Sequence, residues 1–71
     1  MTFYEYMMKF INDESPLGDL AYDMKSDKEF PKQSKDIQEL RGYFYSKAKS
    51  ALVFKISKQA ISSYARVEKY L

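Results

Sequence analysis

The chain has 71 residues, enough for one small domain (residues 1–71), and it has no cysteine, so its core must hold together without disulfide bonds. It also has no histidine, which excludes histidine acid–base catalysis and, with the missing thiols, the commonest transition-metal sites. The net charge of +2 is far from that of a dedicated nucleic-acid-binding protein. Aromatic residues make up 17% of the chain and supply large side chains for a globular core.

The first predicted helix covers about residues 2–11. Thr2, followed three residues later by Glu5, is a capping-box signature. Apolar residues occupy nearly every side of this segment, so we expect it to pack on more than one side and to be central.

The second predicted helix follows Ser15, a favourable N-cap, and begins at Pro16, which is well placed at the first helical position. It runs to about Lys25, and a loop follows over residues 26–33. Pro31 keeps the residue before it extended, and we expect that residue, Phe30, to plug the core.

The third predicted helix is capped by Ser34 and runs to about Ser46, with Phe44 on its buried stripe. Gly42 inside this helix costs about 1 kcal/mol relative to alanine, which indicates close packing at that point.

The fourth predicted helix begins near Ser50 and reaches the C-terminus. Its apolar stripe has regular helical spacing and consists of Val53, Ile56, Ala60, Tyr64, Val67 and Leu71. The opposite side, a sector of about 80°, carries Lys55, Lys58, Ser62, Arg66 and Lys69.

Charge is divided unevenly along the chain. Residues 1–46 carry six basic and nine acidic groups, a net of −3, whereas residues 47–71 carry six basic groups and only Glu68, a net of +5. Solvated faces usually mix both signs, so these cations are the best functional signal. The predicted nucleic-acid-binding residues are Lys47, Lys49, Lys55, Lys58, Ser62, Arg66 and Lys69. Plain solvation of a helix face would produce the same pattern, and both interpretations stay open.

Three segments are characteristic: Phe3-Tyr4-Glu5-Tyr6-Met7-Met8, Phe30-Pro31-Lys32-Gln33-Ser34-Lys35-Asp36 and Tyr43-Phe44. Over about residues 2–45 the chain resembles the YozE-like family of short bacterial proteins. The resemblance implies an all-α fold, a compact four-helix SAM-like bundle of two packed helical hairpins. It implies no established activity and no site residues. SAM-like folds serve both nucleic-acid binding and protein association, so the fold does not choose between them.

We expect no enzymatic activity and no cofactor. A Ser-Lys nucleophile pair is conceivable at Ser34 with Lys35 or at Ser57 with Lys58, but Ser34 is explained as a cap and Ser57 lies beside a core stripe. Acidic residues that could bind a hard cation are Asp13 with Glu14, or Asp19, Asp23 and Asp27. They lack the spacing of a calcium loop, so we expect no metal.

Four tyrosines are candidates for exposed aromatic residues: Tyr22, Tyr43, Tyr45 and Tyr70. They could stack on bases, anchor a protein partner, or simply fill the core with the hydroxyl at the surface.

The expected partner is nucleic acid or, alternatively, a protein, including weak self-association of an otherwise monomeric chain through its acidic and basic parts. We expect no small-molecule substrate. A membrane-surface role is disfavoured because the apolar face of the fourth helix is needed for the core. No signal peptide or membrane span is predicted, so a cytoplasmic location is expected.

Overall fold

The computed structural model describes residues 1–70, which form four α-helices: α1 (Phe3–Met8), α2 (Pro16–Ser26), α3 (Ile37–Lys47) and α4 (Ala51–Lys69). Helix α1 packs on α2, α3 packs on α4, and α4 also contacts α1 and α2. The hairpins α1–α2 and α3–α4 thus pack on each other through the long helix α4, which confirms the predicted all-α arrangement. The radius of gyration, 11.1 Å, matches the value of about 11 Å for a compact chain of this length.

The core contains a cluster of aromatic rings around Phe3. The Phe3 ring is fully buried, and its centroid lies 5.4 Å from that of Tyr64 and 6.3 Å from that of Phe44, both edge-on. Phe30 is also buried and lies 5.8 Å from Phe44. The central place of α1 and the plugging role of Phe30 are therefore as predicted.

Helix α1 is shorter than predicted, because the chain tightens into turns after Met8. The backbone N–H of Phe10 donates to Met7 at 2.9 Å, and that of Asp13 donates to Phe10 at 2.9 Å. These are bonds between residues three apart, typical of the tighter 3₁₀ geometry. The predicted capping box at the start of α1 is present.

The two glycines have opposite surroundings. A Cβ atom on Gly18 would lie 1.8 Å from the carbonyl oxygen of Asp13, so the turn after α1 closes directly on the backbone of α2. A Cβ atom on Gly42 would meet nothing within 4 Å. The prediction of close packing at Gly42 is wrong, and the glycine that packs closely is Gly18.

The helix caps follow the prediction only in part. Ser50 caps α4, and its Oγ accepts from the backbone N–H of the third helical residue at 3.2 Å. Asp36 caps α3, because α3 begins later than predicted and Asp is as good a cap as Ser. Ser34 instead accepts from the backbone N–H of Asp36 at 3.2 Å. Ser15 occupies the N-cap position of α2, but its Oγ is buried and makes no hydrogen bond.

Helix α4 buries its apolar side against the other three helices. Its buried residues are Ser57, Ala60, Ile61 and Tyr64. Leu71, predicted to end the apolar stripe, lies outside the described residues. Across residues 1–70, no helix combines the length and the apolar character needed to cross a bilayer.

Candidate nucleic-acid interface

Five polar residues of α4 form one exposed surface, which we call the basic ridge. They are Lys55, Lys58, Ser62, Arg66 and Lys69, and all five are exposed. From Lys55 to Lys69 the ridge runs for about 21 Å, at 1.5 Å of rise per residue. The structure thus brings five of the seven predicted residues onto one face of one helix.

Glu68, the single acidic residue of α4, does not lie on the basic ridge. It is about 120° around the helix from the centre of the ridge. Its Oε2 lies 3.4 Å from the α-amino nitrogen of Met1, and the Tyr64 hydroxyl donates to the Met1 carbonyl oxygen at 2.7 Å. Burial, and then the charge of Glu68, raise the pKa of Tyr64 to about 12. Because Glu68 faces Met1, it does not neutralise the cations of the ridge, and the electrostatic potential along the ridge stays positive.

Lys47 and Lys49 line a separate depression of about 400 Å³ between α2, α3 and the start of α4. Asp23 and Asp27 lie on the same rim. The Lys47 Nζ is 3.1 Å from a carboxylate oxygen of Glu29. The structure therefore sets these two predicted residues apart from the basic ridge, in surroundings that contain carboxylates.

A hydrogen bond between two side chains lies at the edge of this depression. The Tyr43 hydroxyl donates to Asp27 Oδ2, and this bond lowers the pKa of the Asp27 carboxyl, while burial raises the pKa of Tyr43. The Tyr43 ring also packs edge-on against Phe30 at 5.2 Å. Tyr43 therefore serves to hold the loop after α2 against α3. The other three candidate tyrosines are exposed: Tyr22, Tyr45 and Tyr70.

A second depression, of about 450 Å³, lies between α3 and α4 directly beside the basic ridge. We call it the α3–α4 groove. It is lined by Gln38, Arg41, Gly42, Tyr45, Phe54, Lys58 and Ser62. Lys58 and Ser62 thus belong to both the ridge and the groove, so a ligand on one surface reaches the other.

Sequence reasoning did not single out Gln38 and Arg41 as candidate site residues. Together with Tyr45 they are spaced i, i+3 and i+7 on α3, which places them on one face of the helix. That spacing was visible in the sequence. The position of this face beside the ridge was not visible in the sequence, because it depends on how α3 packs on α4.

A family model covers most of the chain. The family model described as YozE SAM-like fold matches residues 2–66. The chain belongs to the YozE SAM-like family. The match extends past the predicted resemblance over residues 2–45 and takes in most of α4. No curated protein and no solved structure matches the chain significantly.

In this YozE SAM-like protein the conceivable nucleophiles have structural roles. The Ser57 side chain is fully buried, and its Oγ donates to the carbonyl oxygen of Phe54 at 2.7 Å. The Ser34 Oγ accepts from Asp36, as described above. Within residues 1–70, no three acidic side chains come together closely enough to hold a metal ion.

Proposed function

We propose that this YozE SAM-like protein is a non-enzymatic module that binds nucleic-acid phosphates weakly through the basic ridge. The observation that supports this most is the segregation of charge on α4. Four exposed cations share one face of about 21 Å, while the only acidic residue of the helix points to Met1. A face that served solubility alone would need no such separation of signs. Because the chain has no cysteine and no histidine, binding is better supported than catalysis.

The number of cations sets the expected strength. Four phosphate contacts predict a slope of about −2.8 for log K against log salt on single-stranded nucleic acid, and about −3.6 on a duplex. Affinity for a single strand should therefore fall roughly 50-fold between 50 and 200 mM salt. Such binding is expected to be measurable at low salt and largely insensitive to sequence, since phosphate contacts carry no sequence information.

The direct test is a fluorescence-anisotropy titration of a labelled oligonucleotide at low salt. The variant Lys55→Glu with Arg66→Glu removes two ridge cations outside the groove and should abolish binding while leaving the circular dichroism spectrum unchanged. Its matched control is Lys9→Glu with Lys28→Glu, which makes the same change in net charge at exposed positions away from the ridge. The control variant should bind the oligonucleotide more tightly than the ridge variant does.

Two results would remove the proposal. One is the absence of binding by the unmodified protein at tens of micromolar concentration and low salt. The other is an equal loss of binding in the control and ridge variants, which would show that only total charge matters.

A protein partner is the second candidate, favoured by exposed apolar side chains outside the ridge. Tyr22 on α2 is 64% exposed and Leu52 at the start of α4 is 66% exposed. Exposed aromatic and large apolar side chains can anchor a protein interface when a partner buries them. Sedimentation velocity over a range of protein and salt concentrations tests self-association, and a strictly monomeric species at high concentration would exclude it.

A further inference from the structure

The α3–α4 groove presents an aromatic ring to solvent at the foot of the basic ridge. Tyr45 is 79% exposed, although its ring packs edge-on against Phe54 at 5.9 Å and 74°. The Lys58 Nζ lies 5.3 Å from the centre of the Phe54 ring. A cation, a half-buried ring and an exposed ring thus follow one another from the ridge into the groove.

The polar groups of the groove all suit a nucleotide. Arg41 and Lys58 are exposed cations on opposite helices, and none of the seven residues lining this groove is acidic. Gln38 and Ser62 can both donate and accept hydrogen bonds, as base edges and sugar hydroxyls require. The volume of about 450 Å³ lies within the range of about 300–1,000 Å³ typical of ligand sites.

Gly42 lines this groove and adds no side chain to it. A side chain at this position would project where there is no neighbouring atom within 4 Å. Glycine also destabilises the interior of an exposed helix relative to alanine. Packing against neighbouring atoms therefore does not explain the glycine, whereas the groove does, because a larger side chain at this position would project into it.

We propose that the α3–α4 groove receives unpaired bases of a single-stranded nucleic acid, with one base stacked on Tyr45 and the adjoining phosphates on the basic ridge at Lys58. This inference rests on the proposed function and adds that the preferred ligand is single-stranded. Every base has a flat aromatic face, so stacking on a tyrosine is tolerant of sequence. In a duplex, the bases are already stacked on one another, and only the ridge contacts remain. The protein should therefore prefer single strands to duplexes.

The test compares one labelled 12-nucleotide strand with the same strand in a duplex, as DNA and as RNA, by anisotropy at low salt. We expect the single strand to bind about tenfold more tightly than the duplex. Tyr45→Ala should lose about tenfold or more of the single-strand affinity, the range for one stacked base. Tyr45→Phe, which keeps the ring, should stay within about twofold, and so should Tyr22→Ala, which removes an exposed tyrosine elsewhere.

The salt slope separates this inference from the proposed function. Tyr45→Ala removes no charge, so its salt slope should equal that of the unmodified protein, whereas the single substitution Arg66→Gln, which removes one ridge cation, should lower the slope by about 0.7. If Tyr45→Ala does not fold, Gly42→Gln provides a second route. It adds an uncharged side chain to the groove at an open position and should weaken single-strand binding with an unchanged slope.

Three outcomes overturn the groove proposal. Equal binding of single strand and duplex, with no effect of Tyr45→Ala, would refute it and leave the ridge as a phosphate site. Competition by a poly-glutamate peptide that is as strong as competition by an unlabelled single strand would show an anion site without base recognition. No binding of any nucleic acid would refute the proposed function as well. A preference for RNA would support the proposal and add a contact to the 2′-hydroxyl.

Discussion

The two glycines offer a paired test, because the same substitution should have opposite effects on stability. At Gly18 a Cβ atom would lie 1.8 Å from the carbonyl oxygen of Asp13 and 3.0 Å from that of Phe10. An ordinary contact begins near 3.4 Å, so the turn and α2 would have to separate by about 1.6 Å. Both obstacles are backbone carbonyl oxygens of a turn in which the Asp13 N–H donates to the Phe10 carbonyl oxygen, so they cannot turn aside. We expect Gly18→Ala to lower the free energy of unfolding by about 3 kcal/mol, at the upper end for overpacking.

At Gly42 the added methyl group meets no atom, and only the helix propensity changes. Gly42→Ala should therefore raise the free energy of unfolding by about 0.5–1 kcal/mol. A domain of this size has a total stability of about 4–11 kcal/mol, so both variants should remain folded enough to measure.

The assay is urea denaturation followed by far-ultraviolet circular dichroism, with thermal melting as a second measurement. A change of 1 kcal/mol corresponds to about 4–8 °C in Tm for a domain of this size. Gly42→Ala should thus melt a few degrees higher than the unmodified protein and Gly18→Ala at least about 12 °C lower. If Gly18→Ala were neutral, the turn after α1 would not rest on α2. If Gly42→Ala were strongly destabilising, α3 would be packed at that point, as the sequence had suggested.

Three further predictions concern the core and its tyrosines. Phe30→Ala should lower the free energy of unfolding in urea by about 3–5 kcal/mol. Tyr22→Ala, at an exposed site, should change that free energy by less than about 0.5 kcal/mol. Similar values for both variants would contradict the core role of Phe30. Tyr43→Phe should raise the pKa of Asp27 towards its ordinary value, because the carboxylate loses its donor, and an unchanged carboxyl shift in an NMR titration would refute this. The folded state favours protonated Tyr64, so stability should be intact below about pH 10 and should fall towards pH 12. In thermal melts over that range, Tyr64→Phe should show a smaller loss, and an identical loss would contradict the assignment.

The fold was largely predictable because the helices carry their signals locally. The capping box at Thr2, the Ser50 cap and the helical spacing of apolar residues on α4 all depend on neighbours within a few residues. The family resemblance added the arrangement into two hairpins. Boundaries were less certain where two good caps compete, as at Ser34 and Asp36.

Contacts between distant segments were not predictable from these patterns. The isolated Gly42 indicated close packing, yet the close approach occurs at Gly18, because the turn after α1 folds back on α2. In the same way, the sequence placed Lys47 and Lys49 with the cations of α4, but the chain reverses after α3. They consequently line another depression, with Asp23 and Asp27. Helical spacing therefore predicted that the ridge residues share one face, whereas the run of charge along the sequence did not show that Lys47 and Lys49 lie elsewhere.

The position of α4 explains how one helix can carry both the core and a binding surface. Its buried side contacts α1, α2 and α3, and Tyr64 fixes it further through a hydrogen bond to Met1. The basic ridge lies on the opposite side, so the backbone positions of its residues are set by the core before any ligand arrives. A pre-organised surface loses less conformational freedom on binding, which matters most when only a few charge contacts are available. The α3–α4 groove shares this support, since Phe54, Lys58 and Ser62 lie one turn apart on the same helix. A ligand that uses both surfaces would therefore gain stacking without requiring the protein to rearrange, and the free and bound backbones should be closely similar.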